Sequence, residues 1–363
     1  MENIIGQEEA KFFLKKMYKS RCISPTLFFL GPAGYGGLPL SIAYARKLLF
    51  NEKDPYNHLK LDTLQHPDLH FIFPTAQNVI SSDFFYKWRE FIKNNSYGNL
   101  FQWLEYIKIG NKTGKIGIEE TQKIIKKLQM KSYEGGYKVL IMWMPERLNV
   151  VAANNLLKIL ESPPEKTIML FVGEEERGLL PTVLSRLLLI RLKPIPVKEI
   201  QKILQQKYNL IEKKAIVIAQ CTEGDFGRTQ QLIQCTEEND FGEVFIQWIR
   251  NIFIFIKKTK ALKTLIEWSE VLHNWGKERH IQFLDYCLYI FRLALLTHYN
   301  VKKFNPLQWK KVDWESFSTY IQWENMKGIL KEINKASREI CQNAHANLVF
   351  LDLSIKIAKY LQS

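Results

Sequence analysis

The segment Leu27–Phe50 reads LFFLGPAGYGGLPLSIAYARKLLF, and its layout sets the expected fold. Leu27 to Leu30 is a short apolar run of strand type and Gly31 to Gly37 a glycine-rich turn. Leu38 to Phe50 reads as a helix with Pro39 in its first turn, where a missing N–H costs nothing. Strand, loop and helix in that order form a phosphate-loop layout. A working loop of the type G-x-x-x-x-G-K-[ST] offers backbone N–H groups to the phosphates, a lysine to their outer oxygens and a hydroxyl to magnesium. Gly31 and Gly36 hold the glycine positions, with Gly34 between them, but Gly37 and Leu38 stand where the lysine and hydroxyl belong. The backbone pattern survives without its charge or its metal ligand. A plain strand-to-helix turn would use the same glycines, so a functional reading needs support from the flanking chain.

On the amino-terminal side, Asn3 to Tyr18 carries Ala10, Phe13, Leu14 and Met17 at helical spacing. On the carboxyl-terminal side, strand candidates at Asp68–Phe73, Lys138–Met144 and Ile168–Gly173 alternate with helices at Ile118–Met130 and Asn149–Glu161. Pro181–Leu192 reads as a short turn or helix followed by a strand. KVLIMWM at Lys138–Met144 is apolar throughout, as a strand buried on both faces requires. The alternation predicts a parallel α/β sheet. In a phosphate-loop ATPase, such a strand ends in an acidic pair that holds magnesium and polarises the attacking water. Trp143 and Met144 occupy those positions, and Glu146 lies beyond Pro145, out of register. KPIPV at Lys193–Val197 interrupts the pattern as a linker would. Beyond it the sequence reads as helix, at Lys198–Tyr208, Glu212–Ala219, Arg228–Gln234 and in longer segments from Glu243. The expected organisation is an α/β domain over 1–195, a small helical lid over 196–240 and an all-α domain over 241–363.

A length of 363 residues suits about two or three domains. Lys plus Arg 51 against Asp plus Glu 37 gives a net charge of +14, which favours polyanionic partners and equally serves solubility. Cys22, Cys221, Cys235, Cys287 and Cys341 form no C-x-x-C pair, so neither a zinc site nor a disulfide framework is expected. The acidic start MENIIGQEEAK has no apolar signal core, and the apolar window Val244–Ile256 is too short to span a bilayer, so a cytoplasmic protein is expected. The sequons at Asn94 and Asn111 are then coincidental. His66 and His70 have ligand spacing only on a helix, which Pro67 disfavours. Thr75–Lys115 interleaves aromatics (Phe84, Phe85, Tyr86, Trp88, Phe91, Phe101, Trp103, Tyr106) with basic residues. That pattern serves stacking on single-stranded nucleic acid or the packed face of a helical insertion.

With these residues in hand, the chain resembles the clamp-loader branch of the AAA+ ATPases, the subunits of the bacterial DNA polymerase III clamp loader. The matching stretches are IIGQEEAKFFL at Ile4–Leu14, FFLGPAGYG at Phe28–Gly36, HPD at His66–Asp68 and AANNLLKILESPP at Ala152–Pro164. LPTVLSR at Leu180–Arg186 and EGDFGR at Glu223–Arg228 complete the set. Order and spacing agree across about the first 235 residues; the remainder matches only in being helical. The resemblance implies an AAA+-like α/β sheet of the P-loop NTPase type, a helical lid and a helical collar for oligomerisation. Active members carry Lys and Thr at Gly37 and Leu38, and Asp and Glu at Trp143 and Met144. Their first sensor threonine falls near Glu174 and Glu175, so carboxylates would face the phosphate site. Losing several charge-assisted phosphate contacts, at about 1.5–3 kcal/mol each, should abolish tight ATP binding. Many relatives also hold a four-cysteine zinc module ahead of the HPD string; no cysteine occurs here between Cys22 and Cys221.

What survives is the pair Ser185-Arg186. In the family this arginine reaches the phosphate of a neighbour's ATP as an arginine finger. Arg228 matches the second sensor, and with no nucleotide expected it reads as vestigial or as a helix-start residue; Asp225-Phe226-Gly227 reads as a turn between two lid helices. The resemblance therefore implies a non-catalytic clamp-loader subunit with no cofactor or metal of its own. Its partners would be ATPase and delta-type subunits, the sliding clamp, and primed DNA bound without sequence preference. Two other readings stand beside it. One is an autonomous ATPase using a divergent loop with Glu146 as a displaced acid, and the other a stand-alone nucleic-acid-binding protein built on the aromatic segment.

Overall fold

The computed structural model describes residues 1, 4–52, 54–76, 79–108, 114–238, 241–257, 262–272, 275–299 and 313–362. The sequon at Asn111 and residues 109–113 of the aromatic segment lie outside them. The chain divides into two compact units, Met1–Tyr208 with Thr222–Arg228, and Asn209–Cys221 with Thr229–Ser363.

Among the described residues the first unit is built on five strands, β1 (Thr26–Leu30), β2 (Leu69–Ile72), β3 (Lys138–Trp143), β4 (Thr167–Gly173) and β5 (Leu188–Arg191). All pair in parallel, in the order β2-β3-β4-β1-β5. The three central strands, β1, β3 and β4, are buried at every residue, which explains their unbroken apolar runs. One face is covered by α1 (Glu8–Lys19), α2 (Gly37–Leu49), α3 (Asn57–Asp62), α4 (Phe85–Asn95) and α5 (Leu100–Tyr106). The other carries α6 (Ile118–Gln129), α7 (Val150–Glu161) and α8 (Pro181–Leu184). β1 is the point where the strand order reverses, and α/β proteins place ligand crevices at the carboxyl ends of strands at such a point.

α1 begins at Glu8, five residues later than the apolar spacing suggests. Gly6 (φ 64°) and Gln7 (φ 62°) both take left-handed backbone, which a helix cannot continue. The Gln7 side chain donates to Tyr35 O at 3.0 Å and accepts from Lys193 N at 3.2 Å, tying the helix start to the phosphate-loop turn. Between α2 and β2, the Lys60 ammonium bridges Asp54 (2.7 Å) and Glu134 (3.0 Å). His66 lies in the turn before β2 and His70 on β2 itself, so the helical ligand spacing does not arise. Buried His66 accepts from Asp68 N at Nδ1 (3.1 Å), leaving Nε2 to donate to Glu134 at 3.1 Å.

The aromatic segment packs inward. Trp88 and Trp103 are fully buried and Phe91 nearly so, with Phe73–Trp88 stacked at 4.2 Å and Trp88–Trp143 at 5.1 Å. Trp103 Nε1 donates to Pro74 O at 2.8 Å. Tyr86 is the aromatic most open to solvent in the described part of the segment, at 71% exposed.

The second unit contains α10 (Glu212–Cys221), α12 (Phe241–Lys257), α13 (Leu262–Val271), α14 (Lys277–His298), α15 (Trp314–Thr319), α16 (Trp323–Cys341) and α17 (Ala346–Gln362). α9 (Val197–Tyr208) belongs to the first unit, and α11 (Phe226–Glu238) starts there. The helical unit is centred on Trp248, which stacks on Trp268 at 5.3 Å and donates to Ser354 Oγ at 2.7 Å. Among the described residues, no helix is long and apolar enough to cross a membrane.

Candidate functional site: a filled phosphate loop and a distant arginine

The turn after β1 keeps the shape its glycines predict. Gly31 N donates to Gly173 O at 3.0 Å, and Ala33–Tyr35 makes one turn of 3-10 helix before α2. Gly36 sits at φ 89°, and a Cβ there would lie 2.8 Å from the Tyr97 ring, so both backbone and neighbour demand glycine. Gly37 is equally confined: a Cβ would meet Leu192 Cδ1 at 3.0 Å and Val172 Cγ1 at 3.1 Å. Leu38 is 3% exposed and belongs to the apolar core. The two positions that would carry lysine and a hydroxyl thus face packed hydrocarbon.

Three carboxylates converge on this end of the sheet. Glu174, the first residue after β4, accepts the Ala33 backbone N–H at 3.2 Å. Asp225 packs against Gly34, where any Cβ would overlap its carboxylate, and it accepts the Arg228 N–H at 2.9 Å as the residue opening α11. Glu146 follows a left-handed Met144 (φ 57°) and the short turn Pro145–Arg147. That turn brings it back over β4, where its Oε1 accepts the Glu174 N–H at 2.9 Å. Sequence register alone puts Glu146 past the end of β3; the left-handed residue returns it to the mouth of the sheet.

Burial pushes the Glu146 carboxyl up to about 7, with the nearby Glu174 charge adding to the effect and Arg147 opposing it. Its Oε2 is buried without a hydrogen-bond partner. Glu174 is exposed as a residue; the partial desolvation of its carboxyl, together with the Asp225 charge, raises it against the Ala33 hydrogen bond. Asp225 is raised by burial, against the pull of Arg228. A phosphate at this loop would meet these three groups and a backbone donor already engaged. Trp143 and Met144, at the end of β3, pack into the aromatic core and offer no acid.

Ser185 and Arg186 lie elsewhere, on the connection from α8 to β5. The Thr26 hydroxyl donates to Arg186 O at 2.8 Å, fixing this connection to the amino end of β1. The phosphate loop leaves the carboxyl end of the same strand, four residue steps or about 13 Å away. The Arg186 guanidinium donates through Nη2 to Glu161 Oε1 (2.6 Å) and through Nη1 to Thr182 O (2.6 Å) and Ser185 Oγ (3.2 Å). Arg228 stands at the loop end instead, its side chain mostly exposed and its Nε 3.9 Å from Asp225. The approach of Asp225 to Gly34 and the pairing of Glu161 with Arg186 have no local sequence signal beyond an aspartate suited to starting a helix.

The profile of the family described as "DNA polymerase III, delta subunit" matches residues 6–196, just over half of the chain. DNA polymerase III subunit delta' of Haemophilus influenzae is 28% identical over 185 residues, covering 51% of this chain and 53% of that protein. The Escherichia coli delta' subunit is 28% identical over 132 residues (36% and 40%), and the E. coli tau subunit 27% over 155 residues (41% and 24%). The matched region thus spans about half the length of the Haemophilus protein and less of the other two. Among solved structures, a DNA polymerase III gamma subunit-related protein from Thermotoga maritima aligns over 96% of this chain and 99% of its own. It does so at 15% identity and a TM-score of 0.40, a score too low to add to the sheet topology. The profile match over just over half of the chain, with the delta' relatives beside it, establishes that this chain belongs to the DNA polymerase III delta-prime subunit family.

Proposed function

We propose that this chain is a non-hydrolysing subunit of a cytoplasmic clamp loader, one that lends Arg186 to the ATP site of a neighbouring ATPase subunit. The observation that carries the reading is the placement of Arg186 and the phosphate loop at opposite ends of β1. An arginine at the amino end of the sheet is out of reach of its own loop, so a phosphate it contacts belongs to another chain. Support also comes from the loop itself, where Glu174 and Asp225 take the space and the Ala33 donor that a nucleotide phosphate would use. The residues present do not fit ATP.

Ser185 fixes the Arg186 side chain, and Gly31, Gly34, Gly36, Gly37 and Leu38 form a retained but inert turn. Arg228 acts as a helix-start residue paired with Asp225. We read residues 196–240 as the lid and 241–363 as the collar that joins ATPase and delta-type subunits in a ring. The net charge of +14 suits sequence-independent, salt-sensitive contact with primed DNA beside the sliding clamp.

Titration calorimetry of the isolated chain with ATP and magnesium tests the inert loop: no heat of binding is expected at micromolar concentrations. Sub-micromolar binding would instead favour an autonomous ATPase with Glu146 as its acid.

A further inference from the structure

We propose that Glu161 is a latch on Arg186. It would hold the finger off its target and give way only when a neighbour's phosphate competes for the guanidinium. The proposal rests on the reading of Arg186 as a trans-acting finger and names a second residue that governs it.

The geometry supplies the argument. Glu161 is the last residue of α7, and its carboxylate meets Arg186 Nη2 at 2.6 Å. Nη1 is turned to the Thr182 carbonyl and the Ser185 hydroxyl. Three guanidinium hydrogens are thus spent within the chain, and a carboxylate neutralises the charge a phosphate would need. The neutral acceptors need not leave, because they engage Nη1 alone. Glu161 places a full negative charge on Nη2, so a phosphate oxygen approaching the remaining Nη2 and Nε hydrogens is repelled until the carboxylate gives way.

The latch is a light one. The side chains of Arg186 and Glu161 are 32% and 53% exposed, and solvent screens such a pair. A weak pair suits a switch that the neighbour's nucleotide must open, because a strong one would keep the finger from the phosphate altogether. Its presence means that only a fraction of fingers is free at any moment. The apparent affinity of the neighbour's site for ATP is reduced by that fraction, while the rate at saturation is untouched.

The test uses the assembled clamp loader, purified with this chain as wild type, Glu161→Gln, Arg186→Ala or the double variant, and measures ATP turnover against ATP concentration. Glutamine keeps the size of the side chain and removes its charge. Glu161→Gln is expected to lower the KM for ATP about two- to fivefold at unchanged kcat. That change should vanish in the Arg186→Ala background. A merely structural Glu161 would lower kcat or leave both constants alone. If Arg186→Ala reduces turnover while Glu161→Gln leaves KM unchanged or raised, the latch is wrong and the finger stands. If Arg186→Ala has no effect on turnover, the finger reading falls and the latch with it.

Discussion

Ala33 gives its backbone N–H to the carboxylate of Glu174 at 3.2 Å, across 141 residues of sequence. In a phosphate loop that donor is offered to a nucleotide; here a side chain of the same fold accepts it. Asp225 supplies a second carboxylate one residue further on, against Gly34. The loop's backbone donor and the space over Gly34 are both taken by carboxylates of the same chain.

Packing at Gly34 gives the first prediction. In Gly34→Ala the new methyl overlaps the Asp225 carboxylate and lies 2.9 Å from Gly227 N, so the turn at residues 222–228 must shift. Overpacking of this kind costs about 1–3 kcal/mol, read as a lower urea midpoint. Asp225→Gly gives up little as a helix start, and combined with Gly34→Ala it should recover part of the loss. Strict additivity of the two substitutions would contradict the contact.

The carboxyl of Glu146 makes stability depend on pH. Burial raises it to about 7, so the folded chain binds a proton that the unfolded chain, titrating near 4.5, has released. Stability from this group is present below about pH 4.5, is lost as pH rises towards 7, and is level above that. Glu174 and Asp225 shift in the same direction, so the informative quantity is the difference between parent and variant. Glu146→Gln should be more stable than the parent by about 3 kcal/mol at pH 8 and nearly equal at pH 4. Urea unfolding at both values reads this; a difference independent of pH would contradict it.

Trp88 separates packing from nucleic-acid stacking in the aromatic segment. It is fully buried between Phe73 and Trp143, so Trp88→Ala should cost about 3–5 kcal/mol. Tyr86→Ala, at a mostly exposed position, should be near neutral. Single-strand DNA affinity of the folded Trp88→Ala chain should match the parent, whereas a stacking platform would lose affinity with the ring.

Much of this was legible in the sequence because the sheet is buried on both faces. Runs such as KVLIMWM and IMLFVG can form only central strands once helices alternate with them, and their ends fell within a residue or two of the observed ones. The errors came from backbone that leaves regular geometry. The left-handed pair Gly6-Gln7 delays α1, and left-handed Met144 ends β3 early and returns Glu146 to the site. At the candidate site the sequence displays the uncharged residues Gly37, Leu38, Trp143 and Met144. It does not display the pairs Ala33–Glu174, Gly34–Asp225 and Glu161–Arg186, because these are set by tertiary approach and leave no periodic trace.

The central claim, that this chain serves a nucleotide site other than its own, is tested most directly by ATP turnover of the assembled complex carrying Arg186→Ala. The substitution touches a side chain that is one-third exposed, so assembly should be unaffected. Finger arginines contribute about 10³–10⁵ in rate at the site they serve, so turnover should fall to what the remaining sites supply. Turnover equal to that of the wild-type complex, with the variant chain fully incorporated, would contradict the account.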